Sequence, residues 1–204
     1  MEEMTKEEMQ RYLIKETQRG STELEAYRNL MEILGVDFPN KKEEKMLKGN
    51  DMIVNLYRLP QVEKIENMTQ IKRAFVGDKE AILSFVKQNF SNSWVYEVEH
   101  ALMQDIPKCF IAVEHKKIVG FACFDSSAKG FFGPIGVSLD CRGKKVGQAL
   151  LIRTLYAMKE YGYGYAIIGW VNDAEWFYRK TVGAEWIKGG NPENSVYSNM
   201  ISVS

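Results

Sequence analysis

The stretch Phe131 to Gly147, F-F-G-P-I-G-V-S-L-D-C-R-G-K-K-V-G, constrains the fold more than any other part of the chain. An apolar run with two glycines ends at Val137 and a short polar bend follows. Arg142, Gly143, Lys144, Lys145 and Gly147 then lead into a strongly amphipathic segment. The pattern reads as a strand, a tight glycine-bearing loop and a helix start. Such a loop turns several backbone N–H groups toward one spot, and the helix dipole adds positive potential there. A phosphate or pyrophosphate is its natural occupant. Gly133-Pro134 and Gly136 argue against a regular central strand and point to a bulge.

A chain of 204 residues has room for one large domain, or for a domain with a small appendage. Its formal net charge is zero, from 27 basic and 27 acidic side chains, which argues against a general nucleic-acid binder. Three cysteines at no metal-like spacing and two histidines, His100 and His115, argue against a zinc site and for reduced thiols in a cytoplasm. The charged segment Met1 to Glu16 reads as neither a signal peptide nor a membrane span.

Residues 1–50 read as a helical extension and 51–204 as the main domain. A helix is expected over Thr5 to Thr17, ended by Gly20. Thr22 and Glu25 form a capping-box pattern before Leu24, Tyr27, Leu30, Met31 and Leu34, with Gly35 as the stop. A polar stretch, Asn40 to Asp51, leads out. Two helices joined by a turn allow a DNA-binding helix-turn-helix or a helical hairpin packed on the main domain or on a partner subunit. The balanced charge of the first helix and the lack of a basic face on the second favour the hairpin.

In the main domain, Met52 to Leu59 reads as a short edge strand ended by Pro60, and Ile71 to Phe75 as a second strand. Gly77 and Asp78 are turn and cap residues before a helix carrying Ala81, Ile82, Phe85 and Val86 on one face. Ser91 to Ser93 interrupt it, and Trp94, Val98, Ala101 and Leu102 mark the next helix. Cys109 to Val113, Ile118 to Asp125 and Phe131 to Val137 read as a three-strand meander. Val146 to Tyr161 is the best helix, closed by Gly162 and Gly164. Tyr165 to Val171 is apolar without alternation, which suggests a strand buried on both faces. Asn172 and Asp173 are candidate caps for a helix over Ala174 to Thr181, broken at Gly183. Ala184 to Ile187 and Ser195 to Val203 read as two closing strands.

This order of elements, with its glycine loop after the meander, resembles the GNAT superfamily of N-acetyltransferases over roughly Ile71 to Val203. Two motifs carry the resemblance. The family's acyl-CoA loop, Q/R-x-x-G-x-G/A, appears as Arg142-Gly143-Lys144-Lys145-Val146-Gly147, with Lys145 in place of the inner glycine. The helix after the next strand carries Asn172, Ala174, Tyr178 and Gly183. The resemblance implies an α/β fold: a mixed, mostly antiparallel central sheet flanked by helices, here with the N-terminal helical extension. It also implies acetyl-CoA as co-substrate, without a metal. The cofactor-binding residues would be Ile135, Gly136, Val137, Arg142, Gly143, Lys144, Lys145, Val146, Gly147, Gln148 and Asn172.

The reaction implied is direct transfer of an acetyl group to the primary amine of a small molecule or peptide, in a cytoplasmic enzyme. A homodimer stays open; nucleic acid and membrane are not expected partners. By resemblance Tyr178 protonates the departing CoA thiolate; its alternative role is a core aromatic with its hydroxyl at the rim. The amine must lose a proton to attack. Glu97 is the leading base, with Glu99, His100 and Asp125 as other candidates and ordinary solvated carboxylates as the alternative. Trp94, Tyr96, Phe131 and Phe132 either line an acceptor pocket or belong to the core. No cysteine is needed as nucleophile. The competing functional reading is a non-enzymatic acyl-CoA-binding or regulatory module with degenerate motifs.

Overall fold

The computed structural model describes Tyr12, Lys15, Asn29, Leu30 and residues 50–61 and 69–199. The helices expected over Thr5 to Thr17 and Leu24 to Leu34 lie almost wholly outside the described residues. The four isolated positions there are helical, and Leu30 is buried.

The described elements run β1 (Asn50–Asn55), β2 (Gln70–Arg73), α1 (Lys79–Asn89), α2 (Asn92–Leu102), β3 (Cys109–Glu114), β4 (Lys117–Phe124) and β5 (Phe131–Val137). They continue with α3 (Val146–Glu160), β6 (Tyr165–Val171), α4 (Glu175–Val182) and β7 (Glu185–Trp186). The strands form one mixed sheet in the order β2-β3-β4-β5-β6-β1-β7, antiparallel throughout except for the parallel pair β5–β6. No helix among the described residues is long and apolar enough to cross a membrane.

Period-2 alternation in the meander builds two cores, one on each face of the sheet. Phe110, Ala112, Ala122 and Phe124 point toward α3, where Leu150, Leu151, Leu155 and Met158 close the larger cluster. Cys109, Ile111, Phe121 and Cys123 point the other way, against Ile82 and Val86 of α1 and Val98 and Leu102 of α2. The break at Phe90 and Ser91 separates two helices that share one apolar face. Trp94, a candidate pocket residue, stacks on Phe90 at 5.4 Å and meets Phe121 edge-on at 6.1 Å, so it belongs to this core. Tyr96 is exposed on the far side of α2.

Several local expectations are corrected. The strand placed over Met52 to Leu59 spans Asn50–Asn55 and lies inside the sheet, between β6 and β7, before a 3-10 turn at Leu56–Arg58. Ile71 to Phe75 shortens to Gln70–Arg73, leaving Phe75 exposed. Tyr165 to Val171 is not buried on both faces, since Tyr165 and Trp170 are about half exposed. Neither Asn172 nor Asp173 is the N-cap of α4; Ala174 is. Ser195 to Val203 is not a strand where described, because Val196–Asn199 forms a 3-10 turn.

The β1–β6 register explains much of that end of the sheet. Asn50 pairs with Val171 and Met52 with Ile168, so Asp51 faces two residues, Gly169 and Trp170. That is a β-bulge on β6, which twists the strand and re-aims a side chain. Trp170 takes the left-handed conformation, φ 54°, and its N–H donates to Asp51 Oδ1 at 2.9 Å. Asp51 Oδ2 accepts from Ser195 Oγ at 2.8 Å, and the backbone of Asp51 bonds to Gly190 and Ile187. One buried carboxylate therefore fixes both the bulge and the C-terminal segment. Replacing it leaves buried donors unpaired, which costs far more than the hydrogen bonds gain in net terms. Asp51→Ala is expected to lower stability by about 2–4 kcal/mol in urea unfolding, and Asp51→Asn, which keeps one acceptor, by about half as much.

Candidate active site

β5 and β6 pair at only two positions, Phe131 with Ile167 and Phe132 with Ile168, and then part. On its other side β5 keeps its ladder with β4, through Ala122–Ile135, Phe121–Gly136 and Gly120–Val137, with a register slip between Ala122 and Phe124. That slip is the bulge expected around Gly133-Pro134. Beyond Phe132 the sheet forks, and no strand among the described residues lies beside the inner edge of β5.

The ladder also says which amides face the fork. Ser138 N–H donates to Val119 O at 2.9 Å, so 138/119 is a hydrogen-bonded pair. Antiparallel pairs alternate, which makes 136/121 hydrogen-bonded as well and leaves 135 and 137 between them. Ile135 and Val137 therefore turn their backbone N–H and C=O groups into the fork. The Gly136 amide turns toward β4.

The fork opens onto the loop at the head of α3. The chain turns through Leu139–Cys141, runs extended at Arg142, and takes left-handed conformations at Gly143, φ 76°, and Lys145, φ 61°. The first helical bond joins Ala149 N–H to Lys145 O at 3.0 Å, so Val146, Gly147 and Gln148 keep amides without intrahelical acceptors. Arg142, Gly143, Lys144 and Lys145 are exposed, and a side chain built on Gly143 would meet open space. The nest is thus open and flanked by three cationic side chains. Lys145 is the N-cap and carries no capping side-chain bond. The backbone there needs the conformation that glycine adopts freely and lysine adopts at a cost of about 1 kcal/mol.

Tyr178 of α4 sits at the closed end of the fork. It is buried, with its ring edge-on to Phe132 at 6.4 Å and tilted against Phe177 at 5.2 Å. Burial pushes its phenol well above the ordinary value, so it stays protonated at any working pH. Asn172 is exposed just beyond β6.

The candidate bases separate by their partners. Asp125 is buried and accepts from Lys108 Nζ at 2.6 Å, Tyr163 Oη at 2.9 Å and Gly130 N–H at 2.7 Å. Glu99 pairs with Lys79 at 2.6 Å. His100 Nδ1 lies 2.6 Å from the carbonyl of Ser126, and its Nε2 is 2.9 Å from Gln104. Glu97 is half-buried on α2 and accepts from Ser127 Oγ at 2.7 Å, a neutral partner. Cys123 lies opposite Cys109 at a position of the β3–β4 ladder that the Phe124 N–H to Lys108 O bond makes non-hydrogen-bonded. Burial, then the Cys109 thiol and the Glu97 carboxylate, push the Cys123 thiol well up, which removes it as a nucleophile.

The GNAT family model, described as Acetyltransferase (GNAT) family, matches residues 72–184. The chain belongs to this family. A search of curated proteins finds no match. A GCN5-related N-acetyltransferase from Sphaerobacter thermophilus shares the fold with a TM-score of 0.56 and 19% identity, over 79% of this chain and 53% of that one. One from Kribbella flavida does so at 0.52 and 16%, over 68% and 54%. The glucosamine N-acetyltransferase region of a fungal multi-domain β-N-acetylglucosaminidase gives 0.56 and 15%, over 68% and 20%. The chain thus spans about half or less of the length of these proteins, and the likeness is one of fold. The GNAT match covers the fork, the loop and α4; β1, β7 and the segment through Asn199 lie outside it.

Sequence reasoning missed Asp51, Ser127, Trp170 and Tyr197. Asp51 and Trp170 meet across 119 residues of chain, Ser127 and Glu97 across 30, and no local pattern signals either contact.

Two outcomes follow from the geometry. Lys145→Gly is expected to stabilise the protein by about 0.5–1 kcal/mol by relieving the left-handed lysine, whereas Lys145→Val destabilises it; urea unfolding reads both. Cys109 and Cys123 are expected to resist an aromatic disulfide reagent in the native protein and to react once it is unfolded in urea.

Proposed function

We propose that this GNAT protein transfers an acetyl group from acetyl-CoA directly to a primary amine. The observation that carries the reading is the fork, whose unpaired β5 amides run straight into the open nest at the head of α3. Inward-facing amides at Ile135 and Val137 suit the amide groups of a pantetheine arm lying along β5. The amides of Gly143 through Gln148, with the dipole of α3, suit its pyrophosphate, and Arg142, Lys144 and Lys145 add charge around it. Asn172 would border the same groove. Acetyl-CoA supplies the activated acyl group.

The chain's contribution is positioning and proton management. A new C–N bond forms as the C–S bond breaks, and the proton lost by the amine balances the one gained by sulfur. In the fork, an inward backbone N–H near Ile135 is the donor available to the carbonyl oxygen. Glu97 is the carboxylate with the weakest prior commitments, and through Ser127 it can take a proton from an incoming amine. Tyr178, at the closed end, is the donor to sulfur. Its burial keeps the proton on the phenol but also disfavours a free phenolate, so it acts chiefly as a strong hydrogen-bond donor to the developing thiolate.

Calorimetric titration with acetyl-CoA followed by thiol-release assays over an amine panel tests the proposal. Absence of binding at millimolar ligand would overturn it. Tyr178→Phe is expected to leave acetyl-CoA affinity within about twofold and to lower kcat about tenfold or more. The left-handed Lys145 favours one competing reading, a module that binds acyl-CoA without turnover. Binding with no thiol release on any amine would support that reading instead.

A further inference from the structure

The bulge on β6 does something that neither the fork nor the α3 loop requires. It throws the Trp170 ring out of the strand's alternation, half-exposed, two residues past the last β5–β6 pair. Two other rings meet it there. Tyr197, from the C-terminal segment, lies edge-on to Trp170 at 5.6 Å and to Phe131 at 6.0 Å. Phe131 is the first residue of the short β5–β6 ladder. Gly169 admits this packing, since a Cβ there would stand 2.6 Å from the Tyr197 ring and 2.9 Å from Phe131.

The charged groups that act on the Tyr197 phenol, the carboxylates of Glu97 and Asp51, are of one sign. Asp51 holds both Trp170 and the segment carrying Tyr197, and Glu97 reaches the trio through Ser127. Burial raises the Tyr197 phenol first; a hydrogen bond with Ser127 opposes this, and the Glu97 and Asp51 carboxylates add to the rise. Aromatic faces present negative quadrupoles, and two carboxylates deepen the potential. An ammonium gains from both. A carboxylate would be repelled by both.

We propose that Phe131, Trp170 and Tyr197, with Asp51 behind them, receive a second ammonium of the acceptor while Glu97 serves the reacting amine, so that the acceptor is a diamine or polyamine-type cation. This rests on the reading that the fork takes acetyl-CoA, with the thioester toward its closed end. Asp51 is a positioning residue in this arrangement, because it acts through Trp170 and the C-terminal segment.

The test uses the full chain, acetyl-CoA and three pentylamines that differ only at the far end, which carries an ammonium, a hydroxyl or a carboxylate. The diamine is expected to exceed the amino alcohol about tenfold in kcat/KM, with the amino acid lower still. Trp170→Leu is expected to bring the ratio of diamine to amino alcohol down to about twofold, mostly through KM. If that variant does not fold, the wild-type series decides alone. Equal rates, or preference for the carboxylate end, overturn the cationic site while the amide product keeps the transferase reading. A calorimetric titration separates the remaining cases. Diamine binding without amino-acid binding and without turnover supports the cationic site and removes the transferase reading. Neither binding nor turnover with the diamine overturns the inference.

Discussion

Two parallel strands that pair for two residues and then separate set up everything else in this molecule. A continuous β5–β6 ladder would satisfy every backbone group along β5 and leave a closed sheet. Because the ladder stops at Phe132, the N–H groups of Ile135 and Val137 and the carbonyl of Ile135 call for a partner of another kind, while the Val137 carbonyl accepts from Arg142 Nε at 3.4 Å. Unpaired strand edges are normally covered or charged. Here the open edge lies inside the sheet rather than at its margin, where another protein strand cannot easily reach it. A narrow extended molecule with its own amide groups can.

Holding the fork open requires anchoring on both arms. β5 is held by β4 and by the apolar seam that Ile135 and Val137 make with the larger core. β6 is held by β1, and Asp51 is the fastening at the point where the ladder slips. Burying a carboxylate is costly unless its oxygens are satisfied. Asp51 meets that condition with a backbone donor on one oxygen and a hydroxyl on the other. The same carboxylate that shapes β6 thereby draws the C-terminal segment over the sheet. The β1 strand and that segment lie outside the stretch that defines the family, yet they brace the β6 arm of the fork.

The sequence made the meander, α3 and the glycine loop legible because each announces itself locally: alternating apolar residues, a wide apolar stripe, and glycine beside basic residues. The role of Met52 to Leu59 was not legible, since Asn50 and Asp51 look like the end of a polar linker. Their burial depends on partners at Val171, Trp170 and Ser195, far along the chain. The run Tyr165 to Val171 misled for a related reason. Its aromatics are apolar by composition, but the bulge turns Trp170 outward, and a bulge belongs to a pair of strands rather than to one. Among the carboxylates, Glu97, Glu99 and Asp125 are equivalent as letters. Lys79 and Lys108 tell them apart only once the fold brings each lysine to its partner.

Lys145 shows how far a motif can depart from its usual letters while keeping its physical content. The loop needs a left-handed residue before the first turn of α3 so that the following amides point outward together. Glycine meets that need at no steric cost; lysine meets it at about 1 kcal/mol, which the packing of α3 easily absorbs. Val146, Ala149 and Leu150 are buried beneath the loop and fix where the helix must begin. The helix start therefore dictates the conformation of residue 145, rather than residue 145 dictating the start. The exposed lysine at that point stands beside two other cations and adds charge to a nest whose donors are all main-chain. What the loop loses is close backbone approach at a single residue, and what it keeps is the direction of every amide that follows.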